Sequence, residues 1–322
     1  MDSSALGHAA IFSEKGSARR ATATVPASPA AENKRSETIF IVPQSFDRMN
    51  AEIFLRKHCA VSARLLTRLK RTENGITRNG ELLRSIDKVN AGDVITIKFP
   101  DEEISVEPTE GKLDVLFENK NILAVNKPPF MPVHPVHDHI FDTLANIVAY
   151  YQIQNDESYT FRAVNRLDRN TSGIVIIAKN RLTASILPNT VKKKYTAICE
   201  GELFGSGTID APLALKEGHT ICREVRADGV RAVTHWKSLA VKGNHTMLEL
   251  VLETGRTHQI RAHMAHIGHP LAGDDMYGGH LDIFDRQCLH CSQAEFEDLY
   301  SGEKIVIDCP AKEFWDKFNK LV

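Results

Sequence analysis

The densest polar cluster in this 322-residue chain is Asn165-Arg166-Leu167-Asp168-Arg169-Asn170-Thr171-Ser172-Gly173, set directly before the apolar run Gly173 to Ala178. A carboxylate between two arginines at a strand mouth has positive charge on both sides and is available as a nucleophile or charge stabiliser. Spacing alone still favours an ordinary loop ion pair. A second cluster, Leu252-Glu253-Thr254-Gly255-Arg256-Thr257-His258-Gln259-Ile260-Arg261-Ala262-His263, puts Gly and Arg at a strand end and Thr257 at a helix start. Unpaired N–H groups there suit an anion or a nucleobase carbonyl, and a plain capped helix fits equally well.

Other chemistries find less support. His134, His137, His139, His258, His263, His266 and His269 contain no H-E-x-x-H pair, and Cys288 with Cys291 forms the one C-x-x-C, without a second pair at zinc-finger distance. No metal is expected. Asp274 and Asp275, flanked by Gly273 and by Gly278-Gly279, fit turn hydrogen bonding better than a divalent ion. Neither G-x-G-x-x-G nor a P-loop occurs, so no nucleotide cofactor is expected, and Ser172 lies outside any G-x-S-x-G elbow. Lys192-Lys193-Lys194 before Tyr195 reads as a solvated strand edge rather than a phosphate contact.

These clusters need elements to hold them. The β-branched run Gly173 to Ala178 predicts a strand buried on both faces. Further strands are expected at Asp114 to Phe117, Ile122 to Asn126, Tyr195 to Glu200, Thr234 to Leu239 and Met247 to Glu253, with helices at Phe141 to Tyr151 and Thr257 to His266. Upstream, Met49, Ile53, Phe54, Leu55 and Val61 recur at helical spacing, and Ser62 stands as N-cap ahead of Leu65, Leu66 and Leu69. Asn79-Gly80 inside Ile76 to Leu82 marks a hairpin that a strand at Val94 to Ile97 closes. The fold class is α+β, mixed and hairpin-rich. Its expected divisions are a disordered tail at 1–38, a small unit at 39–100, a polar linker at 101–112 and a larger domain at 113–322.

Composition narrows the classes further. With 42% hydrophobic and 25% charged residues the chain is of ordinary globular type, and no apolar run approaches the roughly 18 residues of a membrane span. Met1 to Leu6 lack a signal peptide's basic flank, and six irregularly spaced cysteines do not make a disulfide framework, so a cytoplasmic protein with free thiols is expected. The net charge of −1 conceals an asymmetry. Arg48 to Pro100 holds 11 Lys+Arg against 5 Asp+Glu, a local +6, and the remainder carries −7.

Taken together, the motifs resemble the RluA-type RNA pseudouridine synthases. That family's hallmark loop, close to His-Arg-Leu-Asp-x-x-Thr-Ser-Gly and followed by an apolar strand and Ala-Lys, is matched from Asn165 to Gly173 and at Ala178-Lys179. Its Gly-Arg-Thr-His-Gln-Ile-Arg-x-His segment falls at Gly255 to His263, and its Gly-His-Pro-Leu-x-Gly-Asp-x-x-Tyr-Gly stretch at Gly268 to Gly278. Asn126-Lys127-Pro128, His134-Pro135 and Leu289-His290 add three shorter matches. Two departures stand out: Asn165 replaces the usual His, and the stretch from Lys179 to Tyr195 is short, with an abbreviated helix. The unit from Arg48 to Phe99 is similar to the alpha-L RNA-binding domain of a ribosomal protein, at Ser62, Arg64, Gly75, Asn79, Gly80, Gly92 and Asp93.

The resemblance implies a largely antiparallel catalytic domain behind a small RNA-binding domain. It implies isomerisation of uridine to pseudouridine without cofactor, in large-subunit ribosomal RNA first and transfer RNA second, by a monomer. Asp168 becomes the nucleophile, Arg256 its pairing partner, Tyr195 the residue stacking on uracil, and Arg166 the filler of the space left by a flipped base. Arg64, Arg68, Lys70, Arg71 and Arg78 become RNA contacts, and Cys288 and Cys291 part of a structural segment without metal. Two rivals remain at this stage: a catalytically silent RNA-binding assembly factor, and a metal-dependent hydrolase using Asp274, Asp275 and the histidines.

Overall fold

The computed structural model describes residues 37–300 and 302–322. Its N-terminal part contains β1 (Glu37–Ile41), β2 (Met49–Asn50), α1 (Ala51–Lys57), α2 (Ala63–Leu69), β3 (Ile76–Arg78), β4 (Glu81–Leu82), β5 (Lys88–Val89) and β6 (Val94–Lys98). The larger part begins with β7 (Val115–Glu118), β8 (Ile122–Lys127), α3 (Leu144–Gln154), β9 (Ser172–Ala178), α4 (Arg181–Ile186) and β10 (Lys192–Glu200). It continues through β11 (Ser206–Asp210), β12 (Leu213–Leu215), β13 (Arg223–Val225), β14 (Val233–Lys242) and β15 (His245–Leu252). Then come α5 (Gln259–His266), β16 (Leu289–Glu297), β17 (Lys304–Asp308) and α6 (Lys312–Phe318). Among the described residues no helix is long and apolar enough to cross a membrane.

Local chemistry accounts for the small unit. Ser62 Oγ accepts the Leu65 N–H at 3.2 Å and caps α2, and the Asn50 side chain caps α1 by accepting from Glu52. Asn79 and Gly80 both take positive φ, 52° and 89°, as a tight hairpin turn requires. Strands run in the order β1-β6-β3-β4, and α1 and α2 bury Phe54, Leu55, Leu65, Leu66 and Leu69 against Ile95 and Ile97. Leu182 of α4 completes this core from the other part of the chain. Residues 1–36 of the expected tail lie outside the described residues. Glu37 and Thr38 already belong to β1, because pairing with Lys98 and Ile97 supplies an order that composition does not reveal.

The segment 101–112, which the sequence suggests as a linker, is packed against its surroundings. Glu102 pairs with Arg162, Thr109 N–H donates to the Asn146 carbonyl, and Asn146 Nδ2 donates to the Glu107 carbonyl. Beyond it, a nine-stranded mixed sheet runs β11-β14-β15-β10-β16-β9-β8-β7, with β17 also on β16. Every pairing within it is antiparallel except β16 with β9. β9 is buried along its full length, between β8 and β16. Burying Ile174, Val175, Ile176 and Ile177 contributes about 1.5–3 kcal/mol each as an upper bound, so the loop before this strand hangs from a firm anchor.

Three local expectations change. Lys194 does not lie at a sheet edge, since it pairs with both β15 and β16 and lies 3.4 Å from Glu249, whereas Lys192 and Lys193 pair with β16 alone and keep an open side. The helix expected from Phe141 starts at Leu144 behind the Thr143 cap and runs to Gln154. That expected from Thr257 starts at Gln259, since His258 takes a left-handed φ of 55°.

Gly173 sits at φ 109°, and a Cβ there would fall 2.3 Å from the Cys291 carbonyl oxygen and 2.6 Å from its nitrogen, both backbone atoms that cannot retreat. Gly173→Ala should therefore cost about 3 kcal/mol or more in urea unfolding. Gly80→Ala, with positive φ but open space around it, should cost about 1–2 kcal/mol. Equal losses in the two variants would contradict the close β9–β16 approach.

Candidate active site

Between the apolar strand and the rest of the molecule, the Asp168 loop is fastened from below. Lys127, fully buried at the end of β8, donates from Nζ to the carbonyls of Pro128 (2.8 Å), Met131 (2.9 Å) and Arg169 (3.1 Å). Burial first, and then the Arg286 charge, push the Lys127 pKa down to about 7 against the pull of Asp168. The Thr171 N–H closes the loop on the Asp168 carbonyl at 3.1 Å, and Arg286 Nη1 donates to the Asn170 carbonyl at 3.2 Å. Asn165, where the RluA-type loop usually has His, faces β9 and not the site. Its Nδ2 donates to the Ile174 carbonyl (2.9 Å) and its Oδ1 accepts the Ile176 N–H (3.0 Å). An amide offers that donor and acceptor together, so Asn165 clips the loop to the strand.

The carboxylate so placed has a definite cation. Arg261 Nη1 donates to Asp168 Oδ2 at 3.2 Å, and the same guanidinium forks onto Asp274 through Nε and Nη2, both at 2.7 Å. Side-chain exposure is 6% for Arg261, 0% for Asp274 and 26% for Asp168, so the cation is shared between one sealed carboxylate and one open to the cleft. Burial works against the Arg261 charge, but the two carboxylates outweigh it and hold its pKa above the ordinary value. The Tyr277 ring lies under the guanidinium, 4.9 Å from Cζ to the ring centroid, and the Tyr277 hydroxyl meets His258 Nδ1 at 3.0 Å. His258 Nε2 stands 3.8 Å from Asp168; burial and then Arg261 lower its pKa despite the carboxylate.

One cavity of about 60 Å³ is lined by Arg166, Asp168, Tyr195, Arg256, His258 and Arg261 together with apolar and amide neighbours. The four residues expected to carry chemistry, Asp168, Tyr195, Arg256 and Arg166, thus meet at one place. Their internal pairing differs from expectation. The guanidinium on Asp168 belongs to Arg261, and Arg256 Nε donates to the Arg231 carbonyl at 3.2 Å. The left-handed turn at His258 separates the directions of the two arginines, and Gln259 fixes that turn by accepting the Arg256 N–H at 3.0 Å and donating to the Val233 carbonyl at 2.9 Å. Asp274 sits in a turn as expected, its carbonyl accepting the Tyr277 and Gly279 N–H groups, while both its carboxylate oxygens are engaged by Arg261. Tyr195 is buried at a bulge in β10 facing Cys291, and burial raises its pKa well above the usual phenol value.

Among the described residues no three His, Cys, Asp or Glu side chains are grouped to hold a metal ion, and Cys288 and Cys291 are buried free thiols. In the small basic unit, Arg64 and Arg68 face a second cavity, Lys70 lies 3.7 Å from Glu52, and Arg71 is exposed. Arg78 Nη1 donates to the Lys88 carbonyl at 2.7 Å.

Sharing of Arg261 makes a stability prediction. Asp274→Asn leaves a buried guanidinium without its fork and should lower unfolding free energy by about 3–5 kcal/mol. Asp275→Asn, exposed on the next residue, should change it by no more than about 0.5 kcal/mol. Chemical denaturation of both variants checks the contrast, which fails if they lose stability equally.

Comparison with known proteins places this arrangement. Residues 121–266 match the family model described as RNA pseudouridylate synthase. The chain is 42% identical over 231 residues to an uncharacterized RNA pseudouridine synthase of Bacillus subtilis (strain 168), YhcT, covering 69% of this chain and 76% of the relative. It is 35% identical over 258 residues to the ribosomal large subunit pseudouridine synthase D of Haemophilus ducreyi, covering 74% and 78%. The solved structure of human RNA pseudouridylate synthase domain containing 4 superposes with a TM-score of 0.51 at 20% identity over 65% of this chain and 92% of that one, a likeness of fold. The aspartate loop and the Arg261 helix both fall inside the matched span, and identity of this extent across three quarters of a relative makes the chain a member of the RNA pseudouridine synthase family, isomerases of uridine in RNA.

Proposed function

We propose that this protein isomerises uridines of large-subunit ribosomal RNA to pseudouridine, with Asp168 as the catalytic nucleophile. The observation that carries the reading is the Asp168 carboxylate, three-quarters buried, held by Arg261 in the same cavity as Tyr195. The choice of RNA rests on relatives named ribosomal large subunit pseudouridine synthase D in Haemophilus ducreyi and Vibrio cholerae, 35% and 33% identical.

The reaction breaks the bond from uracil N1 to the ribose anomeric carbon, turns the base, joins C5 to that carbon, and moves the C5 proton so that N1 ends protonated. Atoms and electrons balance within the nucleotide, so no donor or redox partner enters. A carboxylate suits the task because an Asp is ionised at neutral pH without a separate base. Whether it bonds to the anomeric carbon, assists a glycal, or adds to the base, it acts from one position. The Arg261 fork fixes that position and limits solvation of the carboxylate, which matters because capture of the sugar by water leaves an abasic site. Tyr195, its phenol kept protonated by burial, serves to stack on the uracil or donate a hydrogen bond rather than act as a phenolate base. Arg166, exposed at the cavity rim, is placed to occupy the stack vacated by a flipped nucleotide.

In the same reading, the N-terminal unit is an alpha-L RNA-binding domain, its local charge of +6 supplying salt-sensitive affinity. A cytoplasmic location accords with six buried, unbridged thiols. The test is carbodiimide mapping of RNA from a strain lacking the gene and complemented with wild type or Asp168→Asn. Wild type should restore one or more pseudouridines in large-subunit ribosomal RNA and the variant, present at equal level, none. Restoration by Asp168→Asn overturns the nucleophile, and restoration confined to transfer RNA overturns the substrate.

A further inference from the structure

A second cavity, about 260 Å³, opens where α2 of the small unit meets α4 and the strand-like segment leading to the Asp168 loop. Its walls carry four arginines: Arg64 and Arg68, one helical turn apart on α2, Arg162, and Arg181 at the start of α4. Ser62, Leu65, Ala184 and Ser185 complete the lining, so the cavity presents no acidic residue of its own. The carboxylate behind it is Glu102, and it is oversubscribed. Glu102 Oε1 accepts from Arg162 Nη2 at 2.6 Å, and Arg181 Nε lies 2.7 Å from that same oxygen, buried and without hydrogen-bond alignment. Among the described residues Arg64 and Arg68 have no carboxylate within ion-pair distance. One negative charge thus faces four positive ones, and burial together with Arg162 and Arg68 lowers the Arg181 pKa against Glu102.

Four guanidiniums held this close repel one another, and that cost is recovered when an anion with several acceptor oxygens sits among them. The location narrows the anion. α4 is the element that inserts Leu182 into the core of the small unit, while the Arg162 carbonyl accepts the Ala178 N–H at the end of β9, six residues before Asp168. A group bound here is therefore tied to both halves of the described chain and, through one short segment, to the catalytic loop.

We propose that this seam is a binding site for a backbone phosphate of the RNA substrate, gripped from the small unit by Arg64 and Arg68 and from the catalytic side by Arg162 and Arg181. The proposal rests on the RNA reading above and extends it. Guanidinium forks match the paired oxygens of a phosphodiester, and a contact shared across the seam holds the RNA in register with the Asp168 cavity without reading its sequence.

The test uses the full chain, an in vitro transcript of large-subunit ribosomal RNA, and binding measured over about 0.05–0.3 M salt. The Arg68→Gln/Arg181→Gln double variant should bind about tenfold more weakly at 0.1 M salt, with the slope of log affinity against log salt reduced by about 1–2. Ser185→Glu, which adds a carboxylate at the exposed rim while leaving every arginine in place, should weaken binding in the same direction. Unchanged affinity and slope in both variants, beside a wild type that binds steeply in salt, overturns the seam site and leaves the RNA reading standing. A wild type that does not bind the transcript overturns both. If inorganic phosphate raises the melting temperature of wild type and not of the double variant while their RNA binding is the same, the cavity takes a free anion and the RNA proposal fails.

Discussion

One guanidinium, that of Arg261, joins two carboxylates of unequal exposure, and the chemistry of the site depends on that sharing. Asp274 takes the forked pair of hydrogen bonds out of reach of solvent and fixes the guanidinium plane. The remaining Nη1 is then aimed at Asp168, which is left one oxygen free toward the cavity. A lysine in place of Arg261 supplies charge but not this geometry, because an ammonium cannot brace a plane against one partner while presenting an edge to another. The arrangement separates two needs that conflict in a single ion pair: holding a carboxylate still, and leaving it reactive.

The fold converts that local device into a site. β9 is fully buried and its β16 neighbour approaches so closely at Cys291 that only glycine fits at 173, which fixes where the preceding loop begins. Lys127 gathers three carbonyls beneath the loop, and Asn165 clips its other end to β9. Tyr195 enters from β10, which β16 separates from β9, and it lines the same cavity as Asp168. Strands on either side of β16, and a loop clipped to one of them, thus set the distance between the Asp168 carboxylate and the Tyr195 ring.

Much of this was legible in the chain. The Asp168 motif abuts a run of β-branched residues, so a polar loop at a buried strand's mouth follows from pattern alone, and Ser62 and Asn79-Gly80 mark a cap and a turn through their own backbone chemistry. What pattern does not carry is tertiary pairing. Arg256 and Arg261 stand five residues apart in one motif, and the left-handed φ at His258 decides which of them reaches Asp168. Asp274 reads as a turn residue and its backbone is one, but the ion pair of its side chain with Arg261 lies beyond local pattern, and the second neighbour of Lys194 follows from strand order, not from composition. His258 is visible in the matched motif by residue type, but that its ring faces Asp168 follows only from the fold.

Single-turnover kinetics of Arg261→Lys on an RNA substrate, with enzyme above the dissociation constant and RNA affinity measured in parallel, test the role of the shared guanidinium most directly. If aiming by the shared fork is what makes Asp168 reactive, the rate of isomerisation falls about a hundredfold or more while RNA affinity stays within about twofold. A variant that turns over at the wild-type rate, with its charge retained and its fork gone, contradicts the claim.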